Sequence, residues 1–298
     1  MCDKGMIEII LRALVGYLSV AIIVLTACRA DSPGEYEVSN PVEIPASILA
    51  IERLGGRVVF DFEEGFDGAN PPEASLDPST LQAFLTSQSS SLELHVIFVQ
   101  IKGKQISNDS LKLLHAFPNL EGLSVLDSVV DDEGLRHIGG LEGLQRLWII
   151  GSRIKGPGLG WIAKLPELTL LNLGKAPVND SHLAALTQLK KLNNLTIGSA
   201  SVTDAGVEYL SEIQQLQYLA IDGTAISGDA LGLLQSNESL RGLSLGAEQL
   251  TSSGIEQLKR LQHLEELWVN KYELDLALKK SLSAARPDLR INEISFDF

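Results

Sequence analysis

Leu195 to Tyr218, LTIGSASVTDAGVEYLSEIQQLQY, is the stretch on which the fold turns. Leu195 and Ile197 flank Thr196, the period-two spacing of a short strand with one face turned inward. Val207, Leu210, Ile213 and Leu216 then recur every third residue. That spacing suits a helix or a 3₁₀ turn with a single buried stripe. Between the two patterns, Thr203 and Asp204 bring side-chain oxygens to the place where a helix begins and its first N–H groups need partners. The unit reads as strand, turn, helix, turn, and it closes in 24 residues.

Working outward, the same line repeats from Val99, Leu123, Leu147, Leu171, Leu195, Leu219, Leu243 and Leu267. Apolar residues fall at line positions 1, 3, 8, 13, 16, 19 and 22, and through the first seven lines only Asn237 breaks the set. Asn108, Asp132, Asn179, Asp180, Thr203, Asp204 and Ser227 occupy positions 9 or 10, as helix caps would. A unit of this size cannot bury its apolar face alone, so the lines must stack on one another and share a core. The expected fold class is α/β: a solenoid with parallel strands on its concave face and short helices on its convex face.

The repeats resemble bacterial leucine-rich repeats of the LxLxxTxVTDAGLxxLxxLxxL kind, most clearly at Leu195-Thr196-Ile197 and Val202-Thr203-Asp204-Ala205-Gly206-Val207. The segment Ala50 to Val58, AIERLGGRV, resembles the cap that precedes such repeats in planctomycete-like proteins. The resemblance spans roughly Ala46 to Phe298 and implies a leucine-rich-repeat solenoid. One departure is plain. Line position 6, Asn or Thr in the family, is here Lys104, Ser128, Ser152, Ala176, Ala200, Thr224, Glu248 and Tyr272, so no continuous Asn ladder is expected.

The flanks divide as follows. Ala13 to Ala27 is an uncharged apolar run preceded by Arg12, shorter than the roughly 20 residues of a membrane-spanning helix. It ends in Leu25-Thr26-Ala27-Cys28, which resembles a lipobox and implies lipidation of Cys28. Residues 1–27 are therefore expected to be a signal peptide and 28–41 a flexible tether. Residues 42–98 form an N-terminal cap with an insertion. In it Ile44, Ile48, Ile51 and Leu54 follow helical spacing, Gly55-Gly56 stops the helix, and Arg57 to Phe62 reads as a strand. Residues 99–274 are the repeats and 275–298 a C-terminal cap holding Leu278, Leu282 and Leu289. The expected location is the cell envelope, outside the cytoplasm, with the membrane reached through a lipid anchor. An uncleaved signal anchor or an ordinary cleaved signal would export the chain equally.

Composition narrows the function. A net charge of −14 argues against nucleic acid, whose phosphates call for clustered Lys and Arg. The only cysteines are Cys2 and Cys28, which leaves the repeats without thiols for disulfides, zinc or nucleophilic catalysis. His95, His115, His137, His182 and His263 share no column. The acidic runs Asp131-Asp132-Glu133 and Asp61-Phe62-Glu63-Glu64 read as caps and solvated loop. No catalytic residue, metal site or cofactor is expected.

Binding is the better expectation. Line positions 24, 2 and 4 point opposite to the core and make the concave face. There Phe98, Leu126, Trp148, Ile150 and Leu170 fall on strands about 4.8 Å apart and make an apolar patch, the kind of surface that meets a partner. Tyr218 and Trp268 add aromatics further along, and Gly174, Gly198 and Gly246 leave room for something to approach. These seven side chains are the expected contacts for an unidentified protein or peptide. Three other readings stay open: a glycan ligand or envelope-organising role, for which Trp268 beside Asn270 is the local hint, a cryptic enzyme, and an insertion at 73–92 that folds over part of the patch.

Overall fold

A computed structural model describes residues 46–60, 96–199, 201–246, 249–270 and 276–294. The signal segment, Cys28, the tether and the insertion lie outside these residues. The strands are β1 (Arg57–Phe60), β2 (Val96–Lys102), β3 (Gly122–Leu126), β4 (Arg146–Ile150), β5 (Leu170–Gly174), β6 (Asn194–Gly198), β7 (Tyr218–Ala220), β8 (Gly242–Leu245), β9 (Glu266–Asn270) and β10 (Arg290–Ile294). They form one sheet in chain order. From β2 to β10 every pairing is parallel, and each residue faces the one 24 positions on: Val99 with Leu123, Leu123 with Leu147, Leu267 with Ile291. The repeat length is therefore the sheet register. Although the apolar spacing drifts after Leu274, β10 returns to the same offset.

β1 departs from the parallel rule. It runs antiparallel to β2, with Val59 opposite Phe98. It follows the cap helix Ala46–Arg53, which buries Ile48 and Ile51. Helix and strand together cover the first repeat, whose core would otherwise meet water.

The helical layer mixes both geometries that three-residue spacing allows. Asn108–Ala116 and Gly228–Ser236 are 3₁₀, while Asp204–Glu212 and Ser252–Leu258 are α-helical. Their stripes and the inward strand residues make one continuous core, in which Leu195, Ile197, Val202, Leu210 and Leu216 have no exposed surface. Asn237, the exception to the apolar pattern, is also buried. Its Nδ2 donates to the Ile213 carbonyl at 2.8 Å and its Oδ1 accepts from Ser239 N–H at 3.1 Å. A buried amide with both ends bonded is tolerated where an unbonded one would not be.

The polar residues at positions 9 and 10 divide their work. Thr203 and Thr251 cap their own helices, accepting from the N–H of Ala205 and Gly254. The position-10 aspartates instead reach the following repeat. Asp180 accepts from the Thr203 N–H and hydroxyl, both at 2.7 Å, and Asp204 accepts from those of Ser227 at 2.6 and 2.8 Å. Asp132 accepts from the N–H groups of Lys155, Gly156 and Gly158. The Thr-Asp dipeptide is thus a clamp between repeats as much as a cap.

Several strands leave the sheet through a left-handed corner at line position 5: Asp127 at φ 49°, Gly151 at φ 66° and Lys175 at φ 62°. A side chain there meets the following carbonyl, so the conformation costs an L-residue roughly 1–2 kcal/mol. At Gly151 an added Cβ would also lie 2.6 Å from Asp127 Oδ1. Gly151→Ala is expected to lower stability by about 1–2 kcal/mol, read from its urea midpoint. With parallel strands on one layer and short helices on the other, the architecture is a leucine-rich-repeat solenoid.

Candidate functional site on the concave face

The concave face is built from the strand residues whose side chains alternate away from the core. Five of the seven expected contact residues retain exposure there. Leu126, Ile150, Leu170 and Trp268 are half-buried, and Tyr218 is 40% exposed. The other two correct the expectation of a solvent-facing apolar patch. Phe98 has no exposed surface and Trp148 only 6%, and Ile97, Ile150 and Leu170 pack against them as a small second core. Their rings meet edge to face at 5.9 Å. That is the arrangement the ring quadrupole favours. Contact across two strand spacings is possible because the strand between them carries Gly122. A Cβ there would come within 2.4 Å of the Phe98 ring. The expected cover of this patch, residues 73–92, lies outside the described residues.

A second pair repeats the arrangement at the other end of the sheet. Tyr218 on β7 and Trp268 on β9 lie with ring centroids 5.9 Å apart and planes tilted by 56°. Gly242 on β8 lies between them, where a Cβ would fall 2.4 Å from Tyr218 and 2.5 Å from Trp268. Register equates the two sets: Phe98, Gly122, Ser124 and Trp148 correspond, five repeats on, to Tyr218, Gly242, Ser244 and Trp268.

Charges around the two pairs differ in sign. Lys102 and Arg146 flank the first, and each lies 3.7 Å from a carboxylate, of Asp127 and Glu121 respectively. At the equivalent positions around the second stand Asp222 and Glu266. Ser244 donates to Asp222 at 3.0 Å, and Arg290 donates to Glu266. Strand alternation alone places both carboxylates on the concave face with the aromatics, and the recurrence at five repeats aligns them with Lys102 and Arg146.

No chemistry of another kind gathers among the described residues. No group of three or more His, Cys, Asp or Glu there could hold a metal ion. No helix of theirs is long and apolar enough to cross a membrane. Of the five histidines, His115 and His137 approach each other on neighbouring repeats, with ring centroids at 6.0 Å. Desolvation, then the nearby Arg136 and Lys112, hold His137 below its ordinary value of 6.5. The folded state therefore binds that proton less readily than the unfolded chain. The stability His137 contributes is complete above about pH 6.5 and is lost as pH falls through the lowered folded value. Denaturant unfolding at pH 7.5 and pH 5.5 should show this fall, and His137→Gln should reduce it.

No family model matches the sequence, and no curated protein matches it. Among solved structures the chain is similar to an internalin C2 of Listeria monocytogenes, at 19% identity over 67% of this chain and 81% of that one, with a TM-score of 0.47. It is also similar to a second internalin of Listeria monocytogenes, again at 19% identity, over 70% of this chain and 72% of that one, with a TM-score of 0.44.

Proposed function

We propose that this protein is a non-catalytic interaction module, held at the cell envelope through lipidated Cys28, that binds a partner protein across the concave face of its sheet. The observation that carries the reading is Tyr218. It is a large aromatic, 40% exposed, standing beside Trp268 on a sheet face whose neighbouring side chains are mostly small or polar. A solenoid core consumes its aliphatic residues in stacking, so an aromatic left on the open face stabilises nothing comparable within the chain. Tyr and Trp dominate binding energy at interfaces because they bury large rigid area at low entropic cost. Ile150 and Leu170, half-buried further along, extend the apolar surface. The apolar run ending in Cys28 supports export and anchoring.

The test is affinity capture from envelope extracts by the full chain, compared with the Tyr218→Ala, Trp268→Ala double variant. Loss of the captured partner, with the fold retained by circular dichroism, is the expected result. Unchanged capture would remove the concave face as the binding surface. Cys28→Ala should move the protein from the membrane to the soluble fraction, and a variant that stays with the membrane would exclude the lipid anchor.

A further inference from the structure

We propose that the corner formed by Tyr218, Trp268, Asp222 and Glu266 receives a cationic side chain, arginine or lysine, from the partner. The proposal rests on the concave face being the binding face and adds the chemistry of what binds there. Its starting point is the pair of equivalent corners. Both hold two aromatic rings 5.9 Å apart across a glycine. The first is interior and flanked by Lys102 and Arg146. The second is open, and the same two positions carry carboxylates. Exposure and charge have changed together, in the sense that prepares the open corner for a cation.

The physical fit follows. The faces of Tyr and Trp are electronegative and attract a guanidinium or ammonium within about 6 Å of the ring centroid. Asp222 stands just past the end of β7, and Glu266 two residues before Trp268 on the same face of β9, so the rings lie between two carboxylates, of which Glu266 is paired with Arg290. Ser244 and Arg290 are among the donors these acids already hold, and a carboxylate with about four acceptor sites binds several donors at once. Arg290 shows the preference already: its side chain is 71% exposed, yet its guanidinium sits on Glu266. A net charge of −14 would draw a basic partner toward the chain before contact.

The experiment uses the full chain carrying Trp161→Phe. This removes the exposed convex-face tryptophan and leaves Trp268 as the accessible fluorophore, Trp148 being buried. Tetra-arginine, tetraglutamate and an N-acetylglucosamine tetramer are titrated in turn at low salt. The expected result is a saturable change of Trp268 emission with tetra-arginine alone. Asp222→Asn with Glu266→Gln should weaken it at least about tenfold. Glu208→Gln with Glu212→Gln, which removes the same charge from a convex helix, should not. Asp222→Lys with Glu266→Arg, which copies the charges of the first corner, should transfer the response to tetraglutamate. Equal loss in the convex control would reduce the effect to general attraction and overturn the proposal. So would saturation by the saccharide instead, or no response to any of the three. If partner capture needs Tyr218 and Trp268 but survives Asp222→Asn with Glu266→Gln, the concave face stands as the binding surface and the cation is wrong. If capture survives both sets of changes, both fall together.

Discussion

Phe98→Ala is expected to lower the unfolding free energy by about 3–5 kcal/mol, among the largest effects of any single truncation in this protein. Phe98 is fully buried, and its ring supplies one side of the edge-to-face contact with Trp148. Truncation removes that contact and leaves a cavity over Gly122, whose missing side chain cannot fill it. Strand β2 also joins the antiparallel cap strand to the first parallel pair, so the damage falls where the cap is attached. Urea unfolding of the full chain measures the loss. Tyr218→Ala, at the equivalent but exposed position, should cost about 1 kcal/mol or less. If the two costs proved equal, the contrast between a closed and an open corner would be wrong. Phe98→Ala and Trp148→Ala together should cost less than the sum of the two, because they delete the same contact.

Arg286→Ala is the second, with an expected cost of about 2–4 kcal/mol. Its guanidinium is buried in the C-terminal cap. Nη1 donates to the carbonyls of Leu258 and Leu261 at 2.9 and 2.8 Å, and Nη2 to that of Leu264 at 2.7 Å. Those carbonyls lie at and beyond the end of the helix Ser252–Leu258, where the chain turns and supplies at most one i+3 N–H each, from Leu261 to Leu258 and from Leu264 to Leu261. Asp288 completes the arrangement by accepting from Nε and Nη2, and these bonds hold its carboxyl below the usual carboxylate range. Alanine would strand the buried Leu264 carbonyl and strip the second donor from those of Leu258 and Leu261, which keep only the N–H groups of Leu261 and Leu264. Arg286→Lys should recover little, since one ammonium cannot reproduce the planar fork that spans them. A solenoid couples each repeat mainly to its neighbours. Amide exchange should therefore show protection lost first in β10 and β9, with the strands near β5 retained. Uniform loss along the sheet would show that Arg286 acts on the whole chain rather than on its end.

Most of the architecture was legible in the sequence because its determinants are local and periodic. The alternation of Leu195 and Ile197, and the three-residue spacing from Val207 to Leu216, report which face of each element is apolar. Repetition at 24 residues forces the register that pairs Val99 with Leu123. The antiparallel entry of β1 and the return of β10 to the same offset were not readable in this way. Those strands stand outside the periodic set and take their places from what they cover. Arg286 was equally silent, since nothing in its neighbourhood tells a buried guanidinium from a solvated one.

The corner where Leu195 meets its neighbours thus belongs to the sequence: strand, turn and helix, the core positions, and the Thr-Asp pair between them all follow from spacing. What the sequence could not determine is which concave aromatics are interior. Phe98 and Tyr218 occupy the same line position and point the same way, and both reach a tryptophan across a glycine. Only the tertiary structure separates them, because exposure depends on what lies across the face from a side chain, and periodicity carries no information about that contact.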